Sequence, residues 1–190
     1  DCGTNVASLL YALERIGRTA IVTNDAAIIK NASHVILPGV SSAARAMTKL
    51  KENNLIETIK DLKQPVLGIC SGMQILFSQS EEGMVTTLDI ISGQVKKLMN
   101  TQQCVLPHMG WNRLCEIKKN EPLFEDVPEN SYVYYVHSFA ILCLQQTIAQ
   151  SNYAETFSAA VLQDNFYGVQ FHPERSGKIG ETILKNFVNL

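Results

Sequence analysis

The sequence predicts an α/β fold, with an open, mostly parallel, flavodoxin-like sheet that has helices on both faces and is extended by antiparallel strands. In the first half of the chain, short apolar runs alternate with segments of helical periodicity, which favours a parallel sheet. In the second half, short strand-like segments follow one another with turns between them. Hydrophobic residues make up 46% of the 190 residues, so we expect one domain over residues 1–190 with a substantial core.

The elements of the first half are predicted from apolar spacing and from the residues that begin and end helices. Asn5 can cap a helix whose apolar stripe begins at Val6 and which stops at Gly17. After it, in chain order, we predict strands at 20–22 and 35–37, helices at 43–50 and 55–62, a strand at 66–69 and a helix that continues through Phe77.

The second half is predicted as a series of short strands closed by one helix. The strands are expected at 95–98, 113–117, 132–138, 148–152, 159–162 and 166–171, and the helix at 179–188. Because the chain opens at Asp1 without a methionine, we expect an initial strand to precede it.

Composition excludes several classes of protein. A net charge of -2 offers no basic surface for nucleic acid, and no apolar stretch has the length of a membrane span or the pattern of a signal peptide. The five cysteines are odd in number and lack the spacing of zinc sites, so we expect free thiols in a reducing cytoplasm and no metal or cofactor. Four of them are interpreted as small core or strand residues: Cys2, Cys104, Cys115 and Cys143.

Residues 68–74, Gly-Ile-Cys-Ser-Gly-Met-Gln, place a cysteine between two glycines directly after an apolar strand. Flanking glycines allow the sharp turn of a nucleophile elbow. Cys70 would then lie at a helix N-terminus, where amide donors and the helix dipole favour a thiolate. A structural turn with an inert, buried cysteine explains these seven residues equally well.

Residues 167–174, Tyr-Gly-Val-Gln-Phe-His-Pro-Glu, supply a base and a carboxylate near the C-terminus. Pro173 keeps His172 extended, so the side chains of His172 and Glu174 project to the same side. A cysteine nucleophile needs an imidazole base, and the imidazole needs a carboxylate that fixes its tautomer. His-Pro-Glu alone is compatible with a polar turn, but both motifs at the ends of strands indicate a catalytic triad at the carboxyl edge of the sheet.

These two motifs, Gly-x-Cys-x-Gly-x-Gln and then His-Pro-Glu, resemble those of the class I glutamine amidotransferases, and the similarity extends over essentially the whole chain. The resemblance implies hydrolysis of the side-chain amide of glutamine. In that reaction Cys70 attacks the carbonyl carbon, His172 transfers protons, Glu174 orients His172, and water releases glutamate from a thioester.

The oxyanion of this reaction needs two donors, and the amide of Ser71, just after the nucleophile, is one. By resemblance, the second donor comes from the loop that contains Val40 and Ser41, where a backbone flip switches the oxyanion hole on. The family usually has glycine where this chain has Ser41, and a residue with a Cβ atom reaches positive φ less readily.

The resemblance also implies residues that bind the substrate. Gln74 matches a ligand of the amino-acid end of glutamine, and Glu82 matches the partner of its α-ammonium group. Backbone groups of Ser138 and Phe139 match those that bind the α-carboxylate. Taken alone, Gln74 is also explained as a local cap, and Glu82 as half of a solvated acidic pair.

Residues 107–112 and 134–139 narrow the resemblance to the branch of the family that passes ammonia to a (β/α)8 cyclase in histidine biosynthesis. The sequence has no phosphate-binding glycine loop for an ammonia acceptor, so a partner is implied, in a heterodimer. The positions that the resemblance places near the subunit contact are His108, Trp111, Asn112, Tyr134 and Arg175. An aromatic and arginine-containing rim suits an interface, but Trp111 and Tyr134 fit a core as well.

Three alternatives share parts of this pattern. An amidotransferase subunit of the same class, acting in anthranilate or guanine nucleotide synthesis, would keep the triad but should lack residues 107–112 and 134–138 in this form. A paralogue that serves the amination of a surface sugar is a related alternative. A free-standing cysteine hydrolase would turn over without a partner. An inactive docking module would have an incomplete triad, whereas the triad of this sequence is complete.

Overall fold

The computed structural model of the chain describes residues 4–39 and 41–190, with side chains from residue 6 onward. The expected strand before Asp1 therefore lies outside the described residues. The helices are α1 (Thr4–Arg15), α2 (Ala26–Asn31), α3 (Ala43–Glu52), α4 (Ile56–Lys60), α5 (Ser71–Gln74) and α6 (Gly177–Phe187). The strands are β1 (Val35–Leu37), β2 (Val66–Ile69), β3 (Phe77–Ser80), β4 (Val85–Thr86), β5 (Ile91–Lys97), β6 (His108–Arg113), β7 (Tyr132–His137), β8 (Phe139–Ala140), β9 (Thr147–Tyr153), β10 (Glu155–Gln163) and β11 (Phe166–Val169).

Five strands form the main sheet, in the order β1-β2-β11-β10-β9. β1 and β11 both run parallel to β2, whereas β10 and β9 extend the sheet by antiparallel pairing. The predicted α/β class with an antiparallel extension is confirmed. Within this sheet the pairs β1-β2 and β2-β11 are parallel, and the pairs β11-β10 and β10-β9 are antiparallel.

Two smaller sheets complete the described part of the fold. β4, β3, β5 and β8 form one of them, and β6 and β7 form a two-stranded antiparallel ribbon. In this ribbon Trp111 lies opposite Tyr134, and His108 lies opposite His137. The ribbon therefore brings together the two motifs that narrowed the family resemblance.

The central strand β2 carries apolar residues on both of its faces. Leu67 and Ile69 belong to a core cluster with residues of α1 and α6. Val66 belongs to a second cluster with residues of α3 and α4. Because successive side chains of a strand point to opposite faces, the two clusters cover the sheet from its two sides, as the sequence predicted. No helix of the described residues is long and apolar enough to cross a membrane.

The strand predicted at 20–22 is wrong, because these residues pair with no strand. Ile21 is 78% exposed and Val22 is 52% exposed. Both line a groove of about 940 Å³ that they share with Val35 and Ile36 of β1. An apolar β-branched run predicts a strand only where a neighbouring strand is available, and β1 pairs only with β2 among the described strands.

The helix predicted to continue through Phe77 is also wrong, because α5 ends at Gln74 and Phe77 begins β3. Phe77 is fully buried, and β3 pairs with both β4 and β5. Instead of the strand predicted at 113–117, the structure has β6 at His108–Arg113, and its position is set by pairing with β7. In both cases strand pairing overrides the local pattern.

Helix α2 was not predicted, although its sequence carries a start signal. The side chain of Asp25 accepts hydrogen bonds from the amides of Ala27, at 2.7 Å, and Ile28, at 3.3 Å. This is the usual capping arrangement of an aspartate. The remaining predicted elements are confirmed within a few residues of their ends.

Candidate active site

The backbone turns sharply at Cys70, directly after β2. Cys70 has φ 52° and ψ -114°, a conformation that a residue with a Cβ atom adopts only under strain. The flanking glycines Gly68 and Gly72 are needed because neighbouring backbone atoms approach them closely, and not for the turn itself. A Cβ atom at Gly72 would overlap the carbonyl group of Leu37, and one at Gly68 would lie 2.7 Å from Met73 Cα. The elbow is thus packed tightly against β1 and α5.

His172 and Glu174 form a hydrogen-bonded pair whose side chains are each 2% exposed. Nδ1–H of His172 donates to Oε1 of Glu174 at 2.8 Å, since a carboxylate can only accept. Burial by itself lowers the pKa of His172, but hydrogen bonds to Cys70 and Glu174, with their charges, outweigh burial and raise the pKa to about 10. At neutral pH the ring is therefore a cation that can pair with a Cys70 thiolate. The three side chains predicted as a triad are brought together.

The backbone of His172 is fixed by β7 and by a buried serine. The amide of His172 donates to the carbonyl of Tyr134 at 2.9 Å. Ser176 Oγ donates to the carbonyl of His172 at 2.6 Å and accepts from the amide of Tyr134 at 2.9 Å. Ser176 was not predicted as a site residue, because a serine after a turn carries no signal of its own.

The predicted oxyanion donors lie partly within the described residues. Ser71 is the first residue of α5 and is buried. A Cβ atom on Gly39 would lie 2.7 Å from Cys70 Cβ and 2.8 Å from Ser71 N, so Gly39 is packed on the elbow. Val40 lies outside the described residues. The side chain of Ser41 donates to the carbonyl of Ser42 at 3.4 Å.

The four predicted substrate residues already have partners within the protein. Nε2 of Gln74 donates to the carbonyl of Phe139 at 2.8 Å and to Oε1 of Gln170 at 3.0 Å. Oε2 of Glu82 accepts from the amide of Ala43 at 2.9 Å, at the start of α3. The carbonyl of Ser138 accepts from the amide of Leu98. Ser138 and Phe139 are half-buried.

Two buried histidines, His108 and His137, lie next to Phe139. His108 was predicted at a partner interface, but it is only 3% exposed, and its Nδ1 lies 3.0 Å from Nε2 of His137. Burial lowers the pKa of His108 to about 4 and, with the neighbouring His108 as a further cause, that of His137 to about 3. Both rings are therefore neutral hydrogen-bonding groups at neutral pH.

The other predicted interface residues lie on or near the outer side of the β6-β7 ribbon. Trp111 is 55% exposed and its ring meets the half-buried Tyr134 edge to face, with centroids 6.0 Å apart. The guanidinium of Arg175 lies 4.4 Å from the centre of the Tyr134 ring. Nδ2 of Asn112 donates inward, to the carbonyl of Asn152. Within the described ranges, no cluster of His, Cys, Asp and Glu could hold a metal ion.

The fold and the Cys-His-Glu geometry agree with the result of comparison with known proteins. The model of the family "Glutamine amidotransferase class-I" matches residues 1–190, and this chain belongs to that family. Among solved structures, a glutamine amidotransferase superposes with a TM-score of 0.74 at 14% identity, covering 96% of this chain and 92% of that one. The glutaminase domain of a Trypanosoma brucei CTPS with bound acivicin has a TM-score of 0.62 at 15% identity, covering 100% and 90%.

Curated relatives are much more similar in sequence. The chain is 51% identical over 184 residues to the imidazole glycerol phosphate synthase subunit HisH of Haemophilus influenzae, covering 97% of this chain and 92% of the relative. It is 48% identical over 187 residues to the subunit of the same name from Yersinia pseudotuberculosis, covering 98% and 94%.

Replacement of Cys70 by alanine is expected to abolish glutamine hydrolysis, by about a thousandfold or more, because the attacking atom is lost. A glutamine-like electrophile should label Cys70 in the native chain, as located by peptide mass spectrometry. Cys143→Ala, at an exposed cysteine, is the matched control and should keep full activity. Labelling mainly at Cys104 or Cys143 would contradict the assignment.

Glu174→Gln is expected to move the alkaline limb of the kcat/KM profile to lower pH by about one unit or more. The direction of this shift follows from the raised pKa of His172. Its cation persists to high pH because Cys70 and Glu174 stabilise it, so without the carboxylate of Glu174 the ring loses its proton at a lower pH. We also expect kcat/KM to fall by about a hundredfold or more. Glu52→Gln, at an exposed position, is the control. An unchanged limb would show that Glu174 does not set the protonation of His172.

Proposed function

We propose that this chain is the glutaminase subunit of an imidazole glycerol phosphate synthase in histidine biosynthesis. Two findings support the proposal. The curated relatives that carry this subunit name are about half identical in sequence over nearly their whole length. The described residues hold Cys70, His172 and Glu174 in the arrangement that amide hydrolysis through a thioester requires.

The reaction begins with a thiolate of Cys70 and an imidazolium of His172. The sulfur attacks the side-chain carbonyl carbon of glutamine, and the carbon–sulfur bond forms. His172 gives its proton to the departing ammonia as the carbon–nitrogen bond breaks. Glu174 holds the ring through Nδ1 and stabilises its cation. Water, deprotonated by His172, then hydrolyses the thioester to glutamate.

The amide of Ser71 is proposed as one oxyanion donor, because it follows the nucleophile at the start of α5. The second donor is proposed from Val40 or Ser41, which follow Gly39 in the chain, and Gly39 packs on the elbow. Glu82 is proposed to bind the α-ammonium group, and the backbone of Ser138 and Phe139 the α-carboxylate. A zwitterionic substrate needs partners of both signs.

One observation carries the proposal that ammonia passes to a partner. The sulfur of Cys70 lies 3.8 Å from the carbonyl of Val136 in β7, and Val136 pairs with Met109 in β6. Met109 is 62% exposed, and Trp111 is 55% exposed. The β6-β7 ribbon thus contacts Cys70 and also presents exposed apolar side chains. A partner bound to these side chains would lie close enough to receive ammonia before bulk water protonates it.

The proposed partner is a (β/α)8 cyclase, in a heterodimer that acts as a lyase in the cytoplasm. The cyclase would use the ammonia to convert a phosphoribulosyl imidazole carboxamide intermediate to imidazole glycerol phosphate and aminoimidazole carboxamide ribotide. Trp111, Asn112, Tyr134 and Arg175 are proposed to lie at the contact. Residues 1–190 are proposed to form one glutaminase domain that works without a cofactor.

His172→Ala, tested in complex with the cyclase, is expected to abolish synthesis from glutamine and to leave synthesis from added ammonium salts within about twofold, because only ammonia production needs the base. The measurement is the rate of imidazole glycerol phosphate formation with each nitrogen source. Native complex and Glu52→Gln complex are the controls. Loss of both activities would indicate that His172 holds the structure together.

Trp111→Ala is expected to weaken binding of the cyclase by about tenfold or more, because exposed aromatic anchors dominate interfaces. Isothermal titration with the purified cyclase measures the dissociation constant. Tyr11→Ala is the matched control, since Tyr11 is 64% exposed on α1. Equal affinity in the two variants would exclude the ribbon as the contact surface, whereas a native chain that does not bind the cyclase would favour a free-standing hydrolase.

A further inference from the structure

Gln170 is a buried amide that has no role in the mechanism above. It follows β11 directly, and its exposed fraction is 0%. Its neighbours Val169 and Phe171 are also fully buried and apolar. Burial of an amide is costly unless its polar atoms find partners, so the partners of Gln170 indicate why it is there.

The direction of the Gln170 amide follows from a chain of donors and acceptors that begins at Phe139. The carbonyl of Phe139 can only accept, so the atom of Gln74 at 2.8 Å from it is the nitrogen Nε2. The same Nε2 lies 3.0 Å from Gln170, so the Gln170 atom that faces it is the oxygen Oε1. The NH2 group of Gln170 must then face the other way, where its Nε2 lies 3.8 Å from the sulfur of Cys70.

The carbonyl of Phe139, where this series of hydrogen bonds begins, is held by a second donor. His137 Nδ1 donates to the same carbonyl of Phe139 at 3.0 Å. Behind it, His108 Nδ1 lies 3.0 Å from His137 Nε2, and Nδ2 of Asn112 lies 3.3 Å from His108 Nε2. With both rings neutral, every donor in this series points toward Phe139. A reversed Gln170 amide would bring two NH2 groups face to face, so only one direction satisfies all partners.

We propose that Gln170 is a further catalytic residue, whose amide N–H hydrogen-bonds the thiolate of Cys70, and that Gln74 is the positioning residue that fixes the direction of this amide. The proposal rests on Cys70 being the nucleophile. Gln170 exchanges no proton during the reaction. Its N–H stabilises the negative sulfur and aims it, while His172 supplies the proton that leaves with ammonia.

This inference gives Gln74 a different role from the one predicted. Both N–H groups of Gln74 are used within the protein, one by Phe139 and one by Gln170. Its side chain is only 3% exposed. Gln74 therefore acts on the reaction through Gln170, and not as an N–H donor to glutamine.

The test compares two replacements of Gln170 that have nearly the same shape. Gln170→Met removes both the donor and the acceptor without adding charge. Gln170→Glu keeps an acceptor for Gln74 but replaces the donor by a negative charge beside the sulfur. The readouts on the full chain are the rate of Cys70 alkylation by iodoacetamide as a function of pH, and glutaminase activity with the cyclase present. The ionisable groups near the thiol, His172, Glu174 and His137, stay unaltered in both variants.

Gln163 provides a matched control, because it has the same kinds of partner away from the site. Oε1 of Gln163 accepts from Gln146 at 3.1 Å, and its Nε2 donates to Asp164 at 3.0 Å. Gln163→Glu and Gln163→Met should leave alkylation and turnover unchanged. Circular dichroism and thermal unfolding of all four variants verify that the fold is kept.

We expect alkylation at pH 7 and kcat/KM to fall by about tenfold in Gln170→Met, with KM little changed. In both Gln170 variants the alkylation profile should move to higher pH, and further in Gln170→Glu. A folded Gln170→Glu variant with the native profile would overturn the proposal, since that variant keeps an acceptor for Gln74 and replaces the N–H donor to sulfur by a carboxylate. If Gln170→Glu does not fold, a native profile in Gln170→Met would overturn it. A native chain whose Cys70 is not alkylated would instead refute the proposed nucleophile.

Discussion

The parallel pairing of β2 with β11 is the constraint on which the site depends. Ile69 lies opposite Val169 in this pair, so the next residues along the two strands, Cys70 and Gln170, emerge side by side. His172 follows two residues later on the same strand end. The backbone positions of Cys70, Gln170 and His172 are therefore set by the hydrogen bonds of the sheet. Tight packing of the elbow against β1 completes this frame.

The β6-β7 ribbon is the second structural element of the site. Its inner side contacts the site, and its outer side is exposed. On the inner side, the carbonyl of Tyr134 holds the backbone of His172, and His137 holds the carbonyl of Phe139. On the outer side, Trp111 lies exposed next to Tyr134. Because a ribbon is a single hydrogen-bonded unit, a partner bound to the outer side, as proposed above, would contact the same backbone that holds His172. This continuity gives a physical basis for coupling between partner binding and catalysis.

Three histidines lie within this small region, and their surroundings drive their pKa values in opposite directions. His172 has Glu174 and Cys70 as partners, which raise its pKa despite burial. For His108 and His137 burial is the main influence, and it lowers their pKa values. The same side chain is thus a cation beside the carboxylate of Glu174 and a neutral group where it holds a backbone carbonyl in place.

The sequence alone determined the class of fold and the strands Val35–Leu37 and Val66–Ile69, because these depend on local patterns. It also predicted Cys70, His172 and Glu174 as a triad from residue chemistry that few other sites require. Tertiary structure decided the rest. Phe77 begins a strand because β5 is there to pair with it, and residues 20–22 form none because no described strand lies beside them. His108 is buried because His137 lies opposite it, and Gln170 faces Cys70 because two distant strands pair in one register. Such contacts join residues far apart in the chain, and local sequence carries no signal of them.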